Sequence, residues 1–394
     1  MTVPIPSAKP TAGDTGPTIS IAVGDNGLTV AWPDRSWTFH PIWLREQSRD
    51  PAARDRKIGQ RLYDAWRLAP DLSVTAAALD GDIVSLTFSD GHAARYPLDF
   101  LRREHEQTVP DDLAGTPRPW DATLTPLPTL LWSEVMASDR ALLTLADTLA
   151  VHGFCILDQG PTGVDDAEHL ANRFGPVRRT NWGGVADVKV EAVAVDLTQT
   201  NRGLEPHADN PYRLPAPGYI LLHCLRNDAE GGESTLVDGL QVAETIRRED
   251  PAAFEVLTTT ATRFRYVDPE TVLEHHGPLI ELAPDGAVRR LRFNNRTEEA
   301  PALAPDRLSA YYAARRRYAQ LLHAPGNTLE FKLEPGQLLF IDNYRLLHGR
   351  RGYALDNGGR HMRQAYLDRD CVASRQKVLR RALDAEPDLW GALT

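Results

Sequence analysis

Cysteine is nearly absent from this chain of 394 residues: there are three, and none precedes Cys155. So sparse and scattered a set forms neither a disulfide framework nor a cysteine zinc motif, and it fits a reducing compartment. Long apolar runs are also missing. None approaches the roughly 20 residues that a membrane-spanning helix needs, so no membrane partner is expected. Positive charge is not in excess. The formal net charge is -10 and the pI about 5.7, the opposite of the basic surface that nucleic-acid binding favours. A locally basic pocket for a small anion is still open, because arginines gather at Arg345, Arg350, Arg351, Arg360 and Arg363. There is no internal repeat. Residues 1–17 are rich in Pro, Thr, Ala and Gly, lack the charged-then-apolar pattern of a secretion signal, and read as a disordered lead-in. A cytoplasmic protein is the expectation.

What is present is ordinary for a globular chain: 42% hydrophobic and 25% charged residues. The length suggests two domains. Residues 18–105 alternate apolar and polar side chains around turn signals such as Gly24-Asp25-Asn26-Gly27 and Asp80-Gly81-Asp82, which predicts a small β-rich domain of hairpins. Prolines 110, 117, 119, 126 and 128 mark 106–128 as a linker. The rest, 129–394, mixes both periods. One helix is predicted over 133–152, with Ser138 or Asp139 able to cap a turn of it. Further helices are predicted over 165–174, 241–247, 251–258 and 306–323. Buried strands are predicted at Gly153–Leu157 and at the unbroken apolar run Leu338-Leu339-Phe340-Ile341.

The chemistry sits on residues far apart in the chain. His207-Ala208-Asp209 lies in the middle and His348 follows the apolar run near the end. Two imidazoles and one carboxylate on one face of a metal suit Fe(II) and leave positions open for a chelating co-substrate and O2. An isolated His-x-Asp is weak, since residues i and i+2 of any strand share a face and the spacing recurs by chance. Arg360 lies twelve residues after His348, beyond the turn-rich Asp356-Asn357-Gly358-Gly359. A guanidinium can hold a carboxylate through two parallel hydrogen bonds, and Arg360 reads equally well as a surface residue. Ser234 follows Gly231-Gly232, a pair that turns sharply or admits close backbone approach, and its hydroxyl could meet the same carboxylate.

Longer matches add to these residues. His207-Ala208-Asp209-Asn210-Pro211-Tyr212-Arg213, Gly231-Gly232-Glu233-Ser234, Phe293-Asn294-Asn295, Asp342 through Tyr353, and Arg360-His361-Met362 together resemble the gamma-butyrobetaine hydroxylase branch of the taurine dioxygenase-like, Fe(II)- and 2-oxoglutarate-dependent oxygenases. The resemblance implies a mainly β fold with flanking helices: a double-stranded β-helix, or jelly roll, behind the small β-rich domain. It implies His207, Asp209 and His348 as iron ligands, Arg360 with Ser234 on the far carboxylate of 2-oxoglutarate, O2 as oxidant, and a homodimer. In many members the small domain binds zinc through three cysteines and a histidine. Here His92 stands at the histidine position, whereas Ser48 and Asp50 stand near the first two cysteine positions. A structural zinc site needs four good ligands, so no zinc is expected.

The branch also encloses a trimethylammonium group with aromatic residues. Ungapped counting places those positions at Trp182, Ala186, Gln199 and Tyr366, so half are not aromatic, and places a polar substrate contact at Asp196. The cation–π attraction of ring faces makes such a cage selective, so gamma-butyrobetaine itself is not the expected substrate. The expectation is hydroxylation of a small zwitterion. Trp182, Tyr366 and Asp196 would face its amine or quaternary ammonium, and Asn294 or Asn295 its carboxylate or phosphonate. Desaturation or radical rearrangement of an aminoalkylphosphonate is the competing chemistry. A non-catalytic 2-oxoglutarate sensor and a taurine-like sulfonate oxygenase are the competing classes.

Overall fold

The computed structural model describes residues 19–106, 113–190, 197–354 and 358–383. The lead-in, Asp196 and the Asp356-Asn357 turn lie outside them. The chain divides into two compact units near residue 110.

In the amino-terminal unit, the hairpin pattern gives two three-stranded antiparallel sheets, Ser20–Gly24, Gly27–Trp32 and Arg35–Phe39, then Val74–Asp80, Ile83–Phe88 and Ala93–Pro97. Their inward residues, among them Leu28, Val30, Val84, Leu86 and Tyr96, form one core with Leu44 and Leu101 of two short helices. Where the resemblance places a zinc histidine, His92 Nε2 lies 2.8 Å from the Ser48 hydroxyl. Arg54 ties the adjoining loop, donating to the carbonyl oxygens of Gly59 (2.7 Å), Glu46 (3.2 Å) and Ser48 (3.5 Å).

The second unit holds two larger sheets. The six-stranded one runs Thr129–Leu131, Phe154–Asp158, Leu338–Asp342, Tyr219–Asn227, Arg360–Leu367, Val185–Lys189, with only its first pair parallel. The four-stranded one runs Leu204–His207, Leu346–Arg350, Ser234–Asp238, Thr328–Phe331. Strand period two sorts their side chains. Ile220, Cys224, Leu339, Ile341 and Met362 of the large sheet meet Leu236, Leu329 and Leu346 of the small one in a shared interior. Tyr219, Leu221, Leu338, Phe340 and Leu367 point the other way, onto helices Asp139–His152, Asp166–Phe174 and Arg369–Leu383. Val237 and Leu347 of the small sheet pack outward on helices Gly239–Glu249, Pro251–Thr259 and Pro305–Leu322. This is the expected jelly roll with flanking helices.

Two expectations change. The helix over 133–152 is two helices, Trp132–Ala137 and Asp139–His152. Ser138 takes an extended conformation between them, and its hydroxyl caps the second by accepting from Ala141 N, a competition for backbone groups that serine favours at helix starts. The stretch read as a linker is, from residue 113 on, part of the second unit. Leu113 and Trp120 are core residues, and Trp120 donates to Asp238 Oδ2 through its backbone and to the His152 carbonyl through its indole. Prolines shape an extended chain without preventing it from packing. Among the described residues no helix is long and apolar enough to cross a membrane.

Candidate active site

The small sheet brings the distant residues together. His207 ends one strand and pairs across the ladder with His348 of the next, and their rings lie 4.4 Å apart. Asp209 follows two residues later, where the chain leaves the sheet. Its position is fixed by Asn343, which accepts from Asp209 N (2.8 Å) and donates to Asp209 O (3.0 Å) and Pro217 O (2.9 Å). Asn210 next takes a left-handed conformation, φ +50°, and accepts from the Tyr212 hydroxyl at 2.6 Å. The three side chains are buried, and one ligand atom from each lies within 4.8 Å of the others. Asp209 Oδ1 is 3.3 Å from His207 Nε2 and 3.8 Å from His348 Nε2.

The protonation states suit a cation. His207 Nδ1 lies 2.8 Å from the Glu205 carbonyl, which can only accept. Nδ1 therefore carries a proton and donates it to that carbonyl, a bond that holds the ring with Nε2 turned toward Asp209 and His348. Burial, then His207, lowers His348 to about 3, so it is neutral. Burial by itself would raise Asp209, but the imidazoles and the Tyr366 hydroxyl outweigh it and hold the carboxyl well below the usual carboxylate range. Two imidazoles and a carboxylate, with no Lys or Arg hydrogen-bonded to that carboxylate among the described residues, are a donor set that a divalent iron fits.

Two cavities meet at this triad. The narrower lies between the sheets and is lined by His207, Asp209, Ser234, Thr235, His348 and Arg360. Arg360 is 8% exposed, and its Nε is sealed without a partner among the described residues. Burial holds its guanidinium below the usual value. Gly232, at φ +74°, lets it lie there: a Cβ on that residue would stand 3.3 Å from Arg360 Cδ. A buried guanidinium facing a metal triad, with hydroxyls at Ser234 and Thr235, fits a chelating dicarboxylate.

The wider cavity, about 390 Å³, opens from the other side of Asp209. Trp182, Ala186, Gln199 and Tyr366 all line it, as does Asn294. Asn295 does not: its side-chain Oδ1 accepts from Arg315 (3.0 Å) beside a separate surface hollow. Asn294 has both polar atoms engaged, donating to Ala208 O (3.1 Å) and accepting from Arg296 N (3.2 Å). Asp196 lies outside the described residues. The cavity has walls that counting along the motifs does not reach. Tyr266 stacks on Tyr212 at 5.2 Å and meets Trp182 edge-on at 5.3 Å, so four aromatic residues share the cavity. Gln364 Nε2 and the Tyr366 hydroxyl both donate to Asp209 Oδ2, at 2.7 and 2.8 Å. Burial, then the Asp209 carboxylate, raises the Tyr366 phenol well above its ordinary value and keeps it a donor. Tyr212 stands within the His207 motif, and Gln364 shares the inward face of its strand with Arg360, Met362 and Tyr366. Those two had a signal in the sequence, whereas Tyr266 had none.

Comparison with known proteins gives the family. Residues 118–366 match the family described as taurine catabolism dioxygenase TauD, TfdA, and residues 19–102 match the gamma-butyrobetaine hydroxylase-like amino-terminal domain. The chain is 34% identical to a gamma-butyrobetaine dioxygenase of Pseudomonas sp. (strain AK-1), covering 93% of this chain and 97% of that one. It is 27% identical to the mitochondrial trimethyllysine dioxygenase of Gallus gallus, covering 90% and 86%. A solved taurine dioxygenase from Burkholderia xenovorans aligns at 16% identity with a TM-score of 0.46, covering 64% of this chain and 91% of that one.

Proposed function

The chain belongs to the TauD, TfdA family, with a dioxygenase domain behind a gamma-butyrobetaine hydroxylase-like domain, and from this premise we propose that it hydroxylates an unactivated C–H bond of a small zwitterion. The substrate carries an amine or quaternary ammonium head and a carboxylate or phosphonate end. The enzyme is a dioxygenase that uses Fe(II), 2-oxoglutarate and O2. Together these supply the oxidation of the C–H bond by O2, with 2-oxoglutarate leaving as succinate and CO2.

The protein's own part is to bind, orient and exclude water. His207, Asp209 and His348 would hold the metal, with Nε2, Oδ1 and Nε2 the atoms that face one another. Gln364 and Tyr366 fix Asp209 Oδ2, so that Oδ1 keeps its aim. Arg360, with Ser234 beside it, takes the far carboxylate of 2-oxoglutarate as a planar pair of charge-assisted hydrogen bonds. Trp182, Tyr212, Tyr266 and Tyr366 present ring faces and edges to the cationic head, an attraction that grows when the cation is desolvated. The relatives support this reading through the compounds they are named for, gamma-butyrobetaine and trimethyllysine, each with a trimethylammonium head.

The observation that carries the proposal is the aromatic cavity touching Asp209 itself through the Tyr366 hydroxyl. The test is O2 consumption and succinate release with Fe(II) and 2-oxoglutarate, across betaines, aminoalkylphosphonates and neutral analogues in which tert-butyl replaces trimethylammonium. A cationic compound should raise both rates above the uncoupled background while its neutral isostere does not. Equal stimulation by the two would sink the cation-binding role of the cavity.

A further inference from the structure

One buried arginine of the small sheet turns its guanidinium on the backbone of a single segment. Arg350 lies two residues after His348, on the same face of the strand Leu346–Arg350, between Leu204 and Ser234 of the neighbouring strands. It is 5% exposed. Nη1 donates to Thr198 O at 3.0 Å, and Nε to Arg202 O at 3.3 Å. Nη2 donates toward Arg202 O (3.2 Å), Leu197 O (3.4 Å) and Thr200 O. The Tyr353 ring lies against the guanidinium, its centroid 5.3 Å from Cζ. Tyr353 also grips the segment through its backbone: N donates to Asn201 O (3.1 Å), and O accepts from Asn201 Nδ2 (3.0 Å).

The segment needs such a hold. Residues 197–203 consist of one 3-10 turn, Leu197–Gln199, and bends, and they belong to no strand. Carbonyl groups outside a ladder must find donors elsewhere. The bonds within the turn, from Thr200 N (3.2 Å) and Thr200 Oγ1 (2.7 Å), both end on Leu197 O. A guanidinium offers five donors in a rigid plane and no acceptor, so one side chain can gather four carbonyls that face one point. What the segment carries matters to both cavities. Thr198 lines the Arg360 cavity and the aromatic one, and Gln199 lines the aromatic one. Val188, Asp209 and Gln364 also line both. Val188 and Gln364 stand on paired strands, and Asp209 is fixed by Asn343. Thr198 reaches the same place from unpaired chain, held by Arg350.

We propose that Arg350 is a positioning residue for the substrate cavity. Its guanidinium sets the wall that the two cavities share at Thr198 and that the aromatic cavity has at Gln199, and so sets how firmly a substrate's head is held. The proposal rests on the reading of the aromatic cavity as the substrate's.

Hydrogen exchange on the full chain, loaded with Co(II) and 2-oxoglutarate, tests the hold directly. Amides of 197–203 should exchange about tenfold or more faster in Arg350→Met than in wild type, as a local opening would make them, while those of Ser234–Asp238 keep their rate. Tetramethylammonium then probes the wall. Its Kd, from calorimetry on the same loaded protein, should rise at least about fivefold in Arg350→Met, because Thr198 and Gln199 must then be ordered on binding, whereas Co(II) affinity is unchanged. Arg350→Lys puts one nitrogen where three stood and should recover only part of both effects. Gln199→Tyr is the cross-check. A new ring should tighten tetramethylammonium binding about 2- to 10-fold in the wild-type background and not at all beside Arg350→Met, where the wall has no fixed face. Equal gains in the two backgrounds would overturn the proposal, as would unchanged exchange at 197–203. A loss of Co(II) affinity as large as that for tetramethylammonium would make Arg350 a support of the whole sheet and overturn it too. If wild type itself does not bind tetramethylammonium, the cation-binding reading fails, and the exchange measurement, which needs no substrate, still decides on Arg350.

Discussion

The two cavities that meet at Asp209 are made of different material. The Arg360 cavity is walled largely by paired strands of both sheets: Ser234 and His348 have a ladder on either side, and Arg360 pairs with Asn227. The aromatic cavity draws on the strand Val185–Lys189, the loop after His207, and Tyr266 from a separate three-stranded sheet. On the proposed reading, one end recognises the same co-substrate every turnover, so its geometry tolerates little. The other can change its walls one segment at a time. Ala186 and Gln199 stand where the resemblance implies aromatics, while Tyr212 and Tyr266 supply rings from other directions. Fixed chemistry sits on the sheet, and adjustable selectivity sits around it.

The sharpest attempt to break this contrast is Arg360→Leu. It should weaken 2-oxoglutarate binding by roughly a hundredfold or more, since truncating one member of a buried charge pair typically costs about 2–5 kcal/mol. Calorimetry on the Co(II)-loaded protein would measure it, and Arg360→Lys should recover little because the fork is lost. Binding within threefold of wild type would show that this end is not strict. Next in size is Gln364→Leu, which removes one of two donors on Asp209 Oδ2. Metal affinity should fall about 10- to 100-fold, read from Co(II) absorbance titrations, while thermal stability without metal changes little.

At the adjustable end the effects should be graded. Tyr266→Leu should raise KM for a cationic substrate by about 3- to 30-fold, the range of a partly desolvated cation–π contact, with KM for a neutral isostere unmoved. A loss as steep as that of Arg360→Leu would erase the distinction. The smallest effect concerns scaffold away from both cavities. His223 is buried, stacked on Trp132, and bonded through Nε2 to the Pro161 carbonyl at 2.9 Å. Burial holds its pKa below the ordinary 6.5. The unfolded chain then binds the proton more readily, so stability is complete above about pH 6.5 and is lost as the pH falls below it. Unfolding midpoints between pH 7.5 and 5 should drop less in His223→Gln than in wild type. Identical slopes would assign the acid sensitivity to other groups.

The same contrast explains what could be read without coordinates. His348 follows an apolar run whose strand register is set by burial on both faces, so its neighbourhood was visible in sequence. Trp182, Ala186, Gln199 and Tyr366 were reached by counting along the motifs, and all four line the cavity. Tyr266 could not be reached so, since nothing in Thr262–Val267 marks which side chain crosses to a wall built by residues 182 and 212. Asn294 and Asn295 are adjacent and chemically identical, yet one lines the cavity and the other meets Arg315. Only tertiary placement separates them. Ser138 shows the local version of the limit: a helical period spans it, but its hydroxyl ends one helix and begins another.

The strand Arg360–Leu367 runs past both cavities, with Arg360, Met362, Gln364 and Tyr366 inward, and is paired along both edges. At about 3.3 Å per residue, six residues set roughly 20 Å between its two ends, and neither end can slide without undoing two ladders. The strand therefore acts as a gauge. On the proposed reading, the cationic head seats at one mark and the metal waits at another. The oxidised carbon is then the one that lies the right number of bonds from the head. A homologue one methylene longer would not be accommodated by a shift of the wall; it would be hydroxylated one carbon further along its chain, or not at all.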